Sequence, residues 1–203
     1  MPGNLPNLLT LSRIAAVPVL LALFYVPGDW ARWLACVVFS LAGVTDYVDG
    51  YLARSLNQRS ELGRWLDPIA DKLLVAAALL LLTAFDRLGP FGLLPALVIL
   101  CREILVSGLR EYLAELRVGM PVSRLAKWKT ALQMLAIGFL IVGDSGWEPV
   151  PIQQIGWVGL WIAAGLTLIT GYDYLRAGLQ HMDEPSRRSE AAVPPGKTAP
   201  RLG

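Results

Sequence analysis

Residues 46–71 read D-Y-V-D-G-Y-L-A-R-S-L-N-Q-R-S-E-L-G-R-W-L-D-P-I-A-D, and their reading decides that of the whole chain. Four carboxylates sit in or beside apolar runs. Asp46 and Asp49 are three apart, which on a helix sets them about 60° apart on one face. Asp67 and Asp71 are four apart, about 40° apart on a second helix. Two such pairs facing each other make a nest of four carboxylates that no apolar core explains. Like charges that close raise one another's pKa unless cations neutralise them. Carboxylate clusters suit hard divalent ions such as Mg²⁺ or Mn²⁺, and two ions are the economical neutraliser.

The surrounding chain is apolar. Its 203 residues are 55% hydrophobic with a mean hydropathy of +0.51, too apolar for an ordinary soluble domain. Charged residues are only 17% and gather between the apolar runs, so their positions say more than the net charge of +2. Cys36 and Cys101 fall in apolar segments and read as buried thiols. The single His181 lies in a polar tail, which leaves histidine-based metal or triad chemistry almost nothing to use. Met1-Pro2-Gly3-Asn4 supplies no basic region before the first apolar run, so no cleavable signal peptide is expected and the run should remain as a span. No internal repeat is visible.

These runs predict an all-α fold, an integral membrane bundle of six transmembrane helices with an N-terminal interfacial helix. In residues 4–13 of that short helix, Leu5, Leu8, Leu9 and Leu11 would rest on lipid while Asn7, Thr10 and Arg13 face polar surroundings. Spans are expected at about 14–27 and 30–54, followed by a polar, basic hinge over 55–66. Asp67 reads as an N-cap with Pro68 at the first helical position, opening a third span to about Phe85. After a tight turn at 86–90, a fourth span starts near Phe91 and ends in the basic segment 102–117. The fifth and sixth are expected from about Lys127 to Asp144 and from about Ile155 to Tyr174. Residues 1–182 form the membrane domain, and the polar 183–203 reads as a disordered tail.

Six crossings put both termini on one side. Arg54, Arg59, Arg64 and Lys72, then Arg110, Arg117, Arg124, Lys127 and Lys129, then Arg176, Arg187 and Arg188 share that side. The opposite loops offer only Arg32 and Arg87. The positive-inside rule therefore places the aspartates and both termini in the cytoplasm, in a cell membrane. Trp30, Trp33, Trp147, Trp157 and Trp161 fall near the other face, as an aromatic belt anchored in lipid would.

Asp46 lies about 12 Å before Arg54 on a helix, which sinks the carboxylates to headgroup depth. Ionisable groups there are expensive and signal function by default. The chemistry they suit is displacement at phosphorus, with metals clamping a pyrophosphate. Gly50 would let a nucleotide or metal approach the backbone, and Ala53 keeps the same wall low. Arg54 offers a cation to a phosphate oxygen, Gly63 lets the hinge turn, and Asp71 is the candidate base for an attacking hydroxyl. Blander readings stand beside these. Asp67 caps a helix, Asp46 and Asp49 pair with Arg54 or Lys72, and Lys127 and Lys129 obey the positive-inside rule; for Arg102, snorkelling or a pair with Glu103 or an Asp stands level with substrate contact.

Asp46, Asp49, Gly50, Ala53, Arg54, Gly63, Asp67 and Asp71 spell D-x2-D-G-x2-A-R-x8-G-x3-D-x3-D without departure. This resembles the CDP-alcohol phosphatidyltransferase family of membrane enzymes. The resemblance implies that Asp46, Asp49, Asp67 and Asp71 bind the metals and that Asp71 activates the acceptor alcohol. It also implies that Gly50, Arg54 and the hydroxyl of Ser60 contact a CDP-linked lipid, with CMP as the leaving group. Thr10 and Arg13 are either further contacts to that lipid nucleotide or interfacial packing. The segments N-L-P-N-L-L-T-L-S-R-I, C-R-E-I-L-V-S-G-L-R-E-Y-L-A and A-K-W-K-T-A-L-Q-M look like those of members that join CDP-diacylglycerol to glycerol 3-phosphate. An anionic acceptor needs cations, and Arg110, Lys127 and Lys129 lie where they would supply them. The resemblance further implies a homodimer, and no nucleic-acid partner is expected. Inositol phosphate or phosphatidylglycerol as acceptor, and a divalent-cation transporter, are the competing expectations.

Overall fold

Short connections separate apolar segments of helical length. The computed structural model describes residues 5–55, 61–115, 124–146 and 149–191. Six helices follow in order: α1 (Leu5–Tyr25), α2 (Asp29–Ser55), α3 (Glu61–Ala84), α4 (Leu93–Glu115), α5 (Arg124–Val142) and α6 (Ile152–Ala191). A single 3-10 turn, Gly143–Ser145, follows α5. The described residues contain no strand.

The helices form two three-helix halves. In the first, α1 packs on α2 and α3; in the second, α6 packs on α4 and α5. The α2–α5 contact joins the halves, whereas α3 and α4 meet only loosely. Leu20, Phe39, Leu74, Leu82, Ile99, Ile137, Leu140 and Leu160 are fully buried between them. Closest approach is between α5 and α6. A Cβ on Gly156 would lie 2.9 Å from Leu140 Cγ, 3.0 Å from Leu140 N and 3.1 Å from Ala136 O. Only a residue without a side chain lets those backbones come together.

The outside of the bundle is apolar as well. Leu21, Leu41, Leu80, Leu97, Leu105, Leu135 and Ile169 are exposed, spread over all six helices. An apolar coat that extensive is foreign to a protein surrounded by water. Asn7–Tyr25 and Ile152–Arg176 are each long and apolar enough to cross a membrane by themselves.

Several expectations are corrected. No separate interfacial helix precedes the first span, because α1 runs unbroken from Leu5 to Tyr25. Leu8 and Leu11 do face outward, but Asn7, Thr10 and Arg13 are buried inside the bundle rather than turned to polar surroundings. Asp67-Pro68 does not open α3, which starts at Glu61 and carries Pro68 inside it. Of the expected hinge, Ser55 and residues 61–66 are helical, so Gly63 lies within a helix rather than at a bend, and residues 56–60 lie outside the described residues. Proline lacks only its own N–H, and a helix on a packed protein tolerates that loss when tertiary contacts hold it. At the other end, α6 continues as helix through Asp183–Ala191, where an unstructured tail was expected to begin; residues 192–203 lie outside the described residues. Cys101 is exposed on α4 rather than buried, and Cys36 is half-buried. Trp30 and Trp33 are exposed as a belt requires, whereas Trp157 packs against the core and Trp147 is outside the described residues.

One end of the bundle is fastened by polar contacts. Arg32 pairs with Asp144, Trp33 Nε1 donates to Ser145 O at 3.1 Å, and Ser145 Oγ donates to Asp29 Oδ1 at 2.5 Å. Arg87 donates to Ile141 O at 3.1 Å and lies 4.5 Å over the Phe24 ring. Arg32 and Arg87, the two cations of the basic-poor loops, are thus absorbed by local partners. The hydrogen bond from Arg32 holds the Asp144 carboxyl below the usual aspartate range.

Two outcomes follow for stability. Gly156→Ala forces a methyl into backbone contact and should destabilise the protein by about 1–3 kcal/mol, read as a lower unfolding midpoint in detergent. The Asp144 pair contributes fully above the unfolded carboxyl's pKa and is lost as pH falls through the lower folded value. Asp144→Asn should therefore reduce stability at pH 7 by no more than about 1 kcal/mol for so exposed a pair, read as a slightly lower melting temperature. The same substitution should have no effect once acid has protonated the wild-type group.

Candidate active site

Three polar residues spaced three apart, Asn7, Thr10 and Arg13, share the face of α1 that packs on α3. Arg13 is 0% exposed, and a guanidinium so placed needs an anionic partner. That partner is Asp67: Arg13 Nη2 lies 3.8 Å from its Oδ1, and the Thr10 hydroxyl donates to the same oxygen. Asp67 nevertheless keeps 45% of its side chain exposed, so it faces α1 on one side and open space on the other.

One turn on, Asp71 and Lys72 follow on α3, and Lys72 Nζ donates to the carbonyl of Pro68 at 3.1 Å. Opposite them α4 carries a polar stripe at four-residue spacing, Glu103, Ser107 and Glu111, in an otherwise apolar run. Ser107 Oγ donates to Glu111 Oε1 at 3.4 Å. Glu103 accepts from Arg102 Nη1 at 3.3 Å and from Lys129 of α5. Lys129 is 2% exposed, so this pairing neutralises a cation that water does not reach.

Where α3 and α4 part, two adjoining clefts open. One, of about 410 Å³, is lined by Asp67, Asp71, Lys72, Arg102, Glu103 and Arg110 among others. The second, of about 330 Å³, shares Asp71 and Glu103 and continues between Leu73, Leu100, Ile104 and Met134. It ends against Thr130 and Gln133 of α5. A polar compartment therefore opens directly into an apolar slot, the shape that an amphiphile's head and chain require.

The expected site residues fare unequally. Asp67, Asp71 and Arg110 come together at the polar cleft. Asp46, Asp49, Gly50, Ala53 and Arg54 lie on the last turns of α2, but their side chains are outside the described residues, as is the whole of Ser60. Among the described residues no three acidic, histidine or cysteine side chains gather, since only Asp67 and Asp71 of the quartet are described. Those two suit a hard divalent ion by chemistry, being carboxylates on one cleft wall with an open side. Thr10 and Arg13 hold Asp67. Lys129 is engaged by Glu103, and Lys127 is exposed on α5 away from both clefts. Sequence reasoning missed the Glu103–Ser107–Glu111 stripe, while Arg102 both pairs with Glu103 and lines the cleft. The signal was present, as charge at helical spacing inside an apolar run.

An all-helical bundle with an apolar coat, whose carboxylates and arginines line a cleft that runs into an apolar slot, has the construction of a protein acting on phosphorylated amphiphiles. The pattern defining CDP-alcohol phosphatidyltransferases matches residues 3–169. A Rickettsia typhi protein named CDP-diacylglycerol–glycerol-3-phosphate 3-phosphatidyltransferase is 49% identical over 174 residues, covering 86% of this chain and 96% of its own. Proteins of the same name from Pseudomonas fluorescens (44%, covering 91% of this chain and 95% of theirs) and Cereibacter sphaeroides (40%, 91% and 99%) are also similar. The chain belongs to the CDP-alcohol phosphatidyltransferase family. Membership, with the two apolar helices, makes it a membrane protein of an enzyme class that is generally dependent on divalent metals.

The Thr10–Asp67 contact gives a test. Thr10→Val keeps the shape and removes the donor that orients Asp67. The Mn²⁺ concentration giving half the maximal thermal stabilisation should rise about tenfold or more, as when the support of a metal ligand is removed. An unchanged titration would separate Asp67 from metal binding.

Proposed function

We propose that the chain transfers the phosphatidyl group of CDP-diacylglycerol to glycerol 3-phosphate, giving phosphatidylglycerophosphate and CMP. The observation that carries this reading is the meeting of Asp67, Asp71 and Arg110 at one cleft. The shared name of the relatives supports it.

Asp46, Asp49, Asp67 and Asp71 would hold two Mg²⁺ or Mn²⁺ ions, which when bound offset the charge of the pyrophosphate and of the departing phosphate. Thr10 and Arg13 act through Asp67, fixing its carboxylate from the α1 side rather than touching nucleotide. Gly50, Ala53, Arg54, Ser60 and Gly63 serve the cytidine and pyrophosphate end of the lipid. Asp71 accepts the proton of the acceptor hydroxyl. That oxygen then forms the new bond to the phosphorus bearing diacylglycerol while the bond to CMP breaks. The electron pair leaves with CMP, and no covalent enzyme intermediate is needed. Arg110 receives the acceptor's phosphate, joined by Arg102; Lys129 acts through Glu103, and Lys127 adds long-range attraction only.

The apolar slot beside Asp71 takes an acyl chain. With six spans, the bias of basic residues supports a cytoplasmic position for this cleft and both termini in the cell membrane. Residues 1–182 constitute the catalytic unit, and two copies associate as a homodimer.

Purified protein in detergent, given CDP-diacylglycerol and Mn²⁺ or Mg²⁺, should release CMP with glycerol 3-phosphate. It should release none with inositol phosphate or phosphatidylglycerol, and release with either of those would transfer the reading to another acceptor. Asp71→Asn should slow turnover by about 10²–10⁴ while leaving the fold intact; full activity would remove Asp71 as base.

A further inference from the structure

Arg102 lines the polar cleft from α4, yet its geometry is set from α6. Its Nη2 donates to Thr170 Oγ1 at 3.0 Å. The same hydroxyl donates to the carbonyl of Leu166 at 2.9 Å, so its lone pairs are left to face the guanidinium. The Tyr174 ring lies 5.8 Å from Arg102 Cζ, within cation–π range. Between these two, Gly171 leaves room for the arginine stem: a Cβ there would stand 3.0 Å from Arg102 Cγ and 3.4 Å from its Nε. Thr170, Gly171 and Tyr174 are themselves buried.

Without this cradle, Arg102 has a closer alternative. Its neighbour Glu103 already accepts from Nη1, and a guanidinium free to rotate would close both nitrogens onto that carboxylate. The α6 contacts hold one nitrogen away from Glu103. The guanidinium has five N–H donors and spends one on Glu103 and one on Thr170. Its Nε is buried toward Gly171 with no hydrogen-bond partner among the described residues, so the two remaining Nη hydrogens are the donors left for a ligand. A cation fixed in the wall of a cleft, with donors to spare and Arg110 beside it, fits a phosphate dianion.

We infer that Thr170, Gly171 and Tyr174 are positioning residues that set Arg102 to receive the anionic acceptor. This rests on the proposed transfer to glycerol 3-phosphate and assigns α6 a part in acceptor affinity.

Steady-state kinetics of the full chain in detergent test it. Thr170→Val keeps the side-chain shape and removes the acceptor for Nη2. It should raise KM for glycerol 3-phosphate about tenfold, the loss expected for one charge-assisted hydrogen bond, with KM for CDP-diacylglycerol and the melting temperature unchanged. Thr170→Ser should restore the wild-type value. Gly171→Ala leaves the hydroxyl in place and crowds the arginine stem, so it should produce the same selective rise and serves as the independent reading should the valine variant not fold. A parallel rise in both KM values, or a fall in melting temperature with neither KM changed, would show a structural role and overturn the inference. So would wild-type kinetics in both variants. Absence of CMP release from the wild type with glycerol 3-phosphate would instead overturn the acceptor reading beneath it.

Discussion

A charge withdrawn from water must find its opposite within a few ångströms, and the pairing of Arg13 with Asp67 is where this chain meets that demand. Arg13 has no solvent to fall back on, so α1 is held to α3 at a fixed height and rotation. Asp67 in turn cannot drift from the cleft wall while Thr10 and Arg13 hold one of its oxygens. Removing Asp67 would take an anion from a guanidinium that water does not reach, a larger penalty than the pair's own net worth. The packing of the first three helices and the presentation of the cleft carboxylates are thus one event.

The second half of the bundle solves a related problem with different parts. Glu103 looks misplaced in a compartment meant for anions, since a free carboxylate there would repel them. It is not free: Arg102 and Lys129 both donate to it, from α4 and α5. One acid holding two bases leaves one positive charge in excess, while Arg110 on the same wall is matched by Glu111. The acid's role is then geometric, fixing where the cations stand and drawing a deeply buried lysine into the assembly.

Much of this was readable in the residues, for identifiable reasons. Apolar runs broken by Gly-Asp, Asp-Arg-Leu-Gly-Pro and similar turns located all six helices, because burial periodicity and turn chemistry act locally. The spacing of Asp67 and Asp71 announced one cleft wall because a helix fixes what lies one turn apart. What failed did so where tertiary contacts outweigh local preference. Asp67-Pro68 has the composition of a helix start, yet packing carries α3 back to Glu61. Thr10 and Arg13 have the composition of a wet face, yet their polarity answers the distant carboxylate of Asp67. Cys101 was expected inside because apolar residues usually are, a rule that inverts where the surroundings are apolar. The cradle around Arg102 spans 68 residues of sequence, and no spacing rule reaches that far.

The helix pairs of the bundle differ in how firmly they are bound. Gly156 lets α5 and α6 lock backbone to backbone, while α3 and α4 scarcely touch. The two clefts open along this loosely packed seam, as a case opens along an unglued edge. A two-tailed molecule lying in a bilayer has no need to be lifted out and dropped in from above. It can slide sideways through that edge, tails trailing in the membrane, and its successor can leave by the same door. The stiffness of one helix pair thus gives direction to traffic past another.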